Sequence, residues 1–231
     1  MKVERRTGLA AAPDARGTLV VIDVLRAFTT AACAFARGAH EIELVSRIDE
    51  AFARKREEPA LLLVGEQEGR PVAGFDFGNS PPALLAADLE GRKLVLRSTA
   101  GTQGVVAGVN ARTIVLGSLV VARATERLVR TLDAHVTLLA MGSPKGGPGD
   151  EDEVCAELLE ARLAGRELEL ELELVRHRVR ESGAGRKALD PEIAWISAGD
   201  LEIAEQVDRF DFAMQVAREH GRLVARRVAP D

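Results

Sequence analysis

Carboxylates follow several apolar segments of this sequence, at points where buried strands would end: Asp23, Glu66, Asp76 and the acidic run 150–153 (DEDE). An ionised carboxylate at the end of a buried strand is costly unless it is paired or bound to a metal ion. For Asp23 two interpretations are open. One is a salt bridge or helix cap. The other is a Mg²⁺ ligand or a general base, because Mg²⁺ favours a few carboxylates, retained water and phosphate oxygens.

The run 150–153 also permits two interpretations. Acidic residues in the first turn of a helix cap its amides and favour its dipole, which requires no function. The alternative is a contribution to the metal site. The segment 142–149 (GSPKGGPG) just before it is too rich in glycine and proline for regular structure. It lacks the Gly-Lys-Ser/Thr ending of a nucleotide P-loop, and we predict a mobile lid that excludes water.

The segment 97–102 (RSTAGT) is typical of an anion-binding loop. Its hydroxyls, its glycine and the free amides of a following helix suit phosphate or sulfonate, although an ordinary strand-to-helix connection has the same composition. Arg26 and Arg97 could make bidentate contacts to a tetrahedral anion, or be ion-paired arginines. Asn79 and Ser80 either shape a pocket or turn the chain ahead of Pro81.

Other chemistries are excluded or disfavoured by the remaining residues. The histidines are scattered without a pairing motif, which disfavours a zinc site. Cys33 and Cys155 fall in apolar helical segments and are interpreted as buried structural thiols. No Gly-x-Ser-x-Gly elbow is present. Leu25 occupies the position at which one phosphatase class needs a second aspartate, so that motif is absent too.

The composition narrows the class of protein. Of 231 residues, 46% are hydrophobic and 29% charged, with a net charge of −5. Acidic residues interleave with the arginines and aromatic residues make up only 3%, which argues against nucleic-acid binding. No apolar run approaches the roughly 20 residues that cross a bilayer, and no signal peptide is recognisable. We expect a cytoplasmic protein without membrane or nucleic-acid partners, and the apolar content is compatible with a homodimer.

Short apolar runs alternate with helical segments, which predicts a layered α/β/α fold with a mostly parallel or mixed sheet. Strands are predicted at 18–23, 41–45, 61–64, 93–97, 113–116 and 136–140, and helices at 27–37, 49–56, 82–87, 121–132 and 151–163. Because ligands of such folds bind beyond the carboxyl ends of the strands, the polar residues above are expected at one edge.

The pattern changes after residue 164. Strict alternation over 167–175 (ELELELELV) favours a strand with one wet face, although Glu and Leu are both helix formers. Helices are predicted at 191–196 and 201–207. A closing hairpin is predicted from 212–216 and 223–228. We expect a single domain over 1–231, with a core at 18–163 and a C-terminal α+β portion at 164–231 packed on it.

Ordered motifs over roughly residues 18–160 resemble the 2-phosphosulfolactate phosphatase (ComB-like) family: 21–30 (VIDVLRAFTT), Gly65-Glu66, 74–81 (GFDFGNSP), 98–102 (STAGT), Gly117-Ser118 and Glu151-Asp152. The resemblance implies a Mg²⁺-dependent acid phosphatase. Its substrate in that family is 2-phospho-3-sulfolactate, an intermediate on the route to coenzyme M.

The resemblance also implies roles for residues of this chain. Metal ligands are expected among Asp23, Glu66, Asp76, Glu151 and Asp152. Catalysis is expected from Asp23, Asp76 and Glu66, with the choice of base, and a transient aspartyl-phosphate, left open. Substrate contacts are expected from Arg26, Asn79, Ser80, Arg97, Ser98, Thr99, Gly101, Thr102 and Ser118.

Three positions depart from the pattern of the family. Ala100 and Val121 stand where the family usually has Asn, and the glycine common after the Glu-Asp helix start is replaced near Glu157. These changes remove hydrogen-bonding groups from the edge of the expected site. Two alternatives to the family substrate therefore stay open. One is a phosphatase for another small phosphomonoester, and the other is a non-catalytic anion-binding relative.

Overall fold

The computed structural model describes residues 1–142, 150–166 and 172–230. The strands are β1 (Lys2–Thr7), β2 (Thr18–Ile22), β3 (Glu41–Val45), β4 (Leu62–Gln67), β5 (Arg70–Pro71), β6 (Lys93–Arg97), β7 (Thr113–Gly117), β8 (His135–Ala140), β9 (Ala213–Glu219) and β10 (Arg222–Val228). The helices are α1 (Ala27–Ala36), α2 (Ile48–Glu57), α3 (Pro81–Ala86), α4 (Gly101–Ala107), α5 (Ala122–Thr131), α6 (Asp150–Leu163), α7 (Leu172–Glu181), α8 (Gly183–Leu189) and α9 (Ala198–Ala204).

The strands form one mixed sheet in the order β1-β8-β2-β7-β9-β10-β3-β6-β4-β5. Two parallel groups, β1-β8-β2-β7 and β3-β6-β4, are joined by the antiparallel hairpin β9-β10. The predicted layered α/β fold with a mixed sheet is confirmed. The C-terminal hairpin lies within the sheet, where it connects the two groups.

Alternating residues of β2 enter two different cores, because successive side chains of a strand point to opposite faces. Leu19 and Val21 pack in the cluster that contains α1, whereas Val20 and Ile22 pack with residues of α5 and α6. All five residues of β2 are buried. A run of apolar side chains without polar alternation therefore forms a strand that is covered on both faces.

The sheet curves around α1, in which every residue from Ala27 to Phe35 is buried. β2 and β6 are five spacings apart in the strand order, about 24 Å in a flat sheet. Gly101 is only four residues beyond the end of β6, a reach of about 14 Å at most. Its amide nevertheless donates to Asp23 Oδ2 at 2.8 Å. The curvature thus brings the ends of distant strands together.

All eleven predicted elements of residues 18–163 are confirmed, with boundaries that differ by at most three residues. β1 was not predicted, because KVERRT is a polar edge strand without the apolar alternation that marks a strand. The short helices α4 and α8 were also not predicted. No helix in the described parts of the chain is long and apolar enough to cross a bilayer.

Two predictions after residue 164 are wrong. In the predicted strand, residues 167–171 lie outside the described residues, and 172–175 begin the helix α7, whose Val175 and Val179 are buried one turn apart. Residues 191–196 form turns rather than a helix; the Asp190 side chain accepts the amide of Glu192 at 2.9 Å, which favours a turn.

The helix predicted over 201–207 and the closing hairpin are both present in the structure. The helix predicted over 201–207 is α9, which begins earlier because Ser197 and Asp200 form a capping box at its start. The closing hairpin is confirmed as β9-β10, with Arg222 opposite Glu219. In the predicted lid at 142–149, residues 143–149 lie outside the described residues.

Candidate active site

Asp23 follows β2 and is held by the amides that open two helices. Oδ1 accepts a hydrogen bond from Ala27 at 3.0 Å and Oδ2 accepts one from Gly101 at 2.8 Å, at the starts of α1 and α4. Burial, together with the charges of Glu66 and Glu151, raises the pKa of Asp23 to about 6, although the hydrogen bonds from the two amides oppose the rise. A carboxylate that is fixed at both oxygens and reluctant to ionise is suited to acid–base work or to metal binding.

Asp152 reaches the same place from the first turn of α6. Its Oδ1 accepts the amide of Val24 at 2.7 Å, and its Oδ2 accepts the amide of Gly142 at 2.9 Å. Burial raises the pKa of Asp152 well above its usual value, with further contributions from the charges of Glu151 and Asp23. The acidic start of α6 therefore does more than cap its own helix, because Asp152 ties it to the ends of β2 and β8.

Glu151 is the second buried carboxylate of this turn. Burial is the main cause that raises its pKa. Its Oε2 is buried and has no hydrogen-bond partner among the described residues. A buried carboxylate oxygen without a donor is costly in an empty site, so this atom marks a position where a cation or a donor is favoured.

Glu66, near the end of β4, is held by the loop that follows β6. It accepts hydrogen bonds from the amide of Thr99, from Thr99 Oγ1 at 2.9 Å and from the amide of Gly69. Gly65 permits this approach: it has φ +144°, and a Cβ there would lie 1.9 Å from the carbonyl oxygen of Arg97. Together with the charge interaction with Asp23, this places Glu66 in the same cluster.

The predicted anion-binding loop at 97–102 holds carboxylates of the protein itself. The amides of Thr99 and Gly101 donate to Glu66 and Asp23. Those of Ser98 and Thr102 donate to each other's side-chain oxygens, Thr102 Oγ1 at 2.9 Å and Ser98 Oγ at 3.0 Å. The prediction of free amides for a substrate anion is therefore wrong for these four residues, because internal carboxylates and hydroxyls occupy them.

Arg97 and Ser118 make contacts within the protein. Arg97 Nη1 donates to the carbonyl oxygen of Glu66 at 2.6 Å, and its Nε donates to that of Ser46 at 3.2 Å. Ser118 is buried, and its Oγ lies 2.6 Å from Thr29 Oγ1. Arg97 thus supports the end of β4, on which Glu66 lies, whereas Ser118 joins the end of β7 to α1.

Arg26 is buried beside this cluster and is bound to the C-terminal part of the chain. It donates to the carbonyl oxygens of Trp195 at 2.6 Å and Gly69 at 3.0 Å, and its Nη1 lies 3.4 Å from Asp200 Oδ2. Burial lowers the pKa of Arg26, and the charge of Asp200 is the largest opposing influence, followed by that of Glu66.

The neighbouring residues Asn79 and Ser80 precede α3. Ser80 Oγ donates to Asp200 Oδ1 at 3.0 Å. Asn79 is buried, and its Oδ1 has no hydrogen-bond partner among the described residues. Asn79 therefore has acceptor capacity to spare, whereas Ser80 is already engaged.

Asp76 is not brought into the carboxylate cluster. It is exposed, pairs with Lys55 at 3.2 Å and accepts the amide of Leu63 at 2.8 Å. Leu63 lies three residues before Glu66 along β4, or about 10 Å of strand. The expectation that Asp76 converges with Asp23 and Asp152 is thus wrong, because its partners are at the outer edge of the sheet.

Asp200 is the residue of this region that the sequence analysis missed as a candidate. The sequence carries one signal, Ser197-x-x-Asp200, which indicates a helix start. The capping box is present, but Asp200 is also buried against Arg26, 174 residues away along the chain. Nothing in the local sequence indicates that contact.

The cluster of Asp23, Glu66, Glu151 and Asp152 concentrates negative charge in a buried place, at the carboxyl ends of β2, β4 and β8. In the parts of the chain that the structure describes, no three His, Cys, Asp or Glu side chains are grouped so that they could hold a metal ion between them. Mg²⁺ rarely requires that, since it commonly binds one or two carboxylates together with water and phosphate oxygens. The unpartnered Glu151 Oε2 and the raised pKa values of Asp23 and Asp152 are compatible with such a cation.

Comparison with known proteins adds independent findings. The model of a family described as 2-phosphosulpholactate phosphatase matches residues 5–180. A protein of Bacillus subtilis (strain 168) is 31% identical over 202 residues, which cover 87% of each chain. One from Thermoplasma volcanium is 32% identical over 192 residues, 83% of this chain and 85% of its own. One from Carboxydothermus hydrogenoformans is 45% identical over 125 residues, 54% of this chain and 52% of its own. Each carries the name "Probable 2-phosphosulfolactate phosphatase".

Proposed function

This chain belongs to the 2-phosphosulpholactate phosphatase family, whose members are phosphomonoester hydrolases, and we propose that it converts 2-phospho-3-sulfolactate to 3-sulfolactate and phosphate with Mg²⁺. The observation that carries the proposal is the convergence of Asp23, Glu151 and Asp152 at the ends of β2 and α6. Three carboxylates with raised pKa values in one buried place favour a divalent cation and, through it, an anionic ester.

One or two of Asp23, Glu151 and Asp152 would hold Mg²⁺ together with water and phosphate oxygens, and Glu66 lies next to them. Bound there, the ion would polarise a phosphate oxygen and neutralise charge that develops during phosphoryl transfer. Asp23 and Asp152 each accept two backbone amides, so their positions are fixed before a ligand arrives. The unpartnered oxygen of Glu151 supports the assignment most directly.

The hydrolysis needs a group that takes a proton. The oxygen of water forms a bond to phosphorus, the ester P–O bond breaks, and the leaving oxygen gains a proton. Asp23, Glu66 and Asp152 are the candidates for the group that receives the proton of the attacking water. Arg26 is the nearby group that remains a candidate for contacts to the substrate anion, because it is the buried cation of the site. The unpartnered Asn79 Oδ1 is an acceptor, so it suits a water molecule or another donor rather than an anion.

A second candidate substrate class, another small phosphomonoester, is favoured by one observation. Val121 stands where the family usually has Asn, and it is fully buried in the apolar cluster that contains α1. An amide at this position would offer hydrogen bonds that valine cannot. This chain therefore lacks, at position 121, the hydrogen-bonding side chain that the family pattern provides.

The test is phosphate release from 2-phospho-3-sulfolactate and from a panel of small phosphomonoesters, with Mg²⁺ and with EDTA. We expect release that requires Mg²⁺ and is fastest with 2-phospho-3-sulfolactate. Asp23→Asn should lower kcat by about 100-fold or more, a typical loss for a general base. Asp49→Asn is the matched control, because Asp49 is an exposed carboxylate paired with Arg47.

Each component of the proposal has its own contrary result. Faster phosphate release from a different ester would make that ester the preferred substrate instead of 2-phospho-3-sulfolactate. Full activity in EDTA would show that the reaction does not need Mg²⁺. A fully active Asp23→Asn enzyme would show that Asp23 has no role in catalysis. Tight binding of 3-sulfolactate without release of phosphate from any ester would point to the non-catalytic relative.

A further inference from the structure

We propose that Asp200 is a positioning residue: its carboxylate holds the Arg26 guanidinium in place to bind the acid groups of the substrate other than the phosphate. This inference rests on the proposed function, since it concerns the same site. It assigns a role to the C-terminal part of the chain, where the family resemblance is faint.

The contacts of Arg26 support this arrangement. A guanidinium has five N–H donors, and three of the hydrogen bonds of Arg26 go to Trp195, Gly69 and Asp200. Two donors remain for a ligand. A charge this deeply buried needs a counter-charge, and Asp200 is the carboxylate that faces it, with its side chain only 2% exposed.

Hydrogen bonds to both oxygens fix the position of the Asp200 carboxylate. Oδ1 accepts Ser80 Oγ at 3.0 Å, and Oδ2 accepts the amide of Ser197 at 2.7 Å. Asp200 Oδ2 therefore accepts a hydrogen bond at the start of α9 and also faces the Arg26 guanidinium. Through Arg26, α9 is linked to the β4-β5 turn at Gly69, whose amide in turn donates to Glu66.

The ligand class follows from the charge of the site. The cluster of Asp23, Glu151 and Asp152 repels anions unless a cation is bound there, and a single divalent ion would offset mainly the charge of the phosphate. A substrate with a carboxylate and a sulfonate carries two more negative charges, which need a further cation. Arg26 is buried beside the cluster, where Asp23 and Glu66 act on its charge. Its planar N–H donors match a carboxylate or a sulfonate.

Three variants distinguish the loss of the negative charge at residue 200 from a general loss of stability. Asp200→Asn can keep an acceptor oxygen for the amide of Ser197, and its NH2 group can donate to Ser80 Oγ, but it removes the counter-charge of Arg26. Asp200→Glu keeps the charge and should recover part of the function. Glu202→Gln is the matched control, because it replaces an exposed carboxylate of the same helix, α9, that makes no contact with Arg26 or Asp200; we expect an unchanged KM.

The readout is a series of three esters: 2-phospho-3-sulfolactate, 2-phosphoglycerate, which lacks the sulfonate, and glycerol 2-phosphate, which lacks both acid groups. For Asp200→Asn we expect KM to rise about tenfold for the first ester, by less for the second and not at all for the third, with kcat changed less than twofold. An equal loss for all three esters, or no loss for any, overturns the proposal.

A binding measurement keeps the test independent of turnover. Titration calorimetry of 3-sulfolactate should give a Kd about tenfold higher for Asp200→Asn than for the unchanged protein and for Glu202→Gln. If the protein hydrolyses none of the esters, the proposed function fails while this comparison still decides the role of Asp200. Equal Kd values for all three proteins overturn the proposal whatever the activity.

Discussion

The amide of Gly101 lies 2.8 Å from Asp23 Oδ2, and a Cβ at residue 101 would lie 2.7 Å from that same oxygen. The hydrogen bond joins the start of α4 to the end of β2. It exists only because the residue that donates it has no side chain. The position of Asp23 thus depends on the absence of a methyl group 78 residues further along the chain.

Replacing Gly101 by alanine should therefore damage both the fold and the site. The new methyl group would also lie 3.0 Å from Phe28, so α4 must move away from α1. We expect a loss of about 1–3 kcal/mol in the free energy of unfolding, as for other overpacked cores. Displacing Asp23 should lower kcat/KM by roughly 100-fold. Urea denaturation and phosphate release measure the two effects.

The control for this variant is Gly183→Ala. Gly183 opens α8, is exposed, and has no atom within 4 Å of an added Cβ. Alanine there should leave the stability unchanged or raise it by up to about 1 kcal/mol. If both variants behave alike, the close approach at Asp23 does not govern the site.

The stability of the metal-free protein should increase as the pH falls from 7 to 5. The pKa of Asp23 is about 6 in the folded chain against an ordinary value of 3.8, so the folded state binds more protons than the unfolded state in this range. Asp23 alone should add about 1 kcal/mol at pH 5 relative to pH 7. The raised pKa values of Asp152 and Glu151 act in the same direction.

Urea denaturation in EDTA at pH 5, 6 and 7 measures this dependence. Carboxylates with lowered pKa values, such as Glu41 and Glu157, titrate below this range and contribute little to it. Asp23→Asn should flatten the slope. A stability that instead rises steadily from pH 5 to 7 contradicts the burial of protonatable carboxylates in the cluster.

Replacing only one residue of the buried ion pair between Arg54 and Glu43 should strongly lower the free energy of unfolding. Arg54 Nε donates to Glu43 Oε2 at 2.8 Å, and both residues are buried. Arg54→Met leaves a buried carboxylate without its partner, which typically costs about 3–5 kcal/mol. Removing both charges, as Arg54→Met with Glu43→Leu, should recover most of that loss.

Chemical denaturation of the single and double variants is the measurement. Arg47→Met is the matched control, because Arg47 pairs with Asp49 at an exposed site where water screens the ion pair and little stability should be lost. A double variant less stable than Arg54→Met would show that the pair itself, rather than the unpaired charge, dominates the energy.

The two cysteines should be inert in the folded protein. Burial raises the pKa of Cys33 to about 12 and raises that of Cys155 as well. At pH 8 we expect no reaction with a water-soluble disulfide reagent until denaturant is added, and no loss of phosphatase activity after exposure to the reagent. Rapid inactivation by the reagent would reopen the possibility of a cysteine nucleophile.

The strands of the core could be predicted because their signal is local. The run TLVVI forms β2 and KLVLR forms β6, since continuous apolar side chains suit strands that are covered on both faces. The sequence signal failed where burial is one-sided or absent. The polar edge strand β1 shows no alternation, and the alternating stretch before Val175 leads into a helix.

The residue types of the site were also predictable from sequence, but their partners were not. Asp23, Glu66, Glu151 and Asp152 follow strands or open a helix, and the carboxyl edge of the sheet brings them together. The structure assigns the amides of Thr99 and Gly101 to the carboxylates of Glu66 and Asp23 rather than leaving them free. Asp76 forms an ion pair with Lys55 and lies outside this cluster.

The sequence by itself therefore determined the strand order along the chain, the family and the set of acidic residues, because these depend on short-range patterns and on motifs. The tertiary structure alone decided which of those acids lie close together and that Asp200 faces Arg26. The physical reason is the curvature of the sheet around α1, which brings together groups separated by up to 174 residues. Such long-range contacts leave no periodic trace in the sequence.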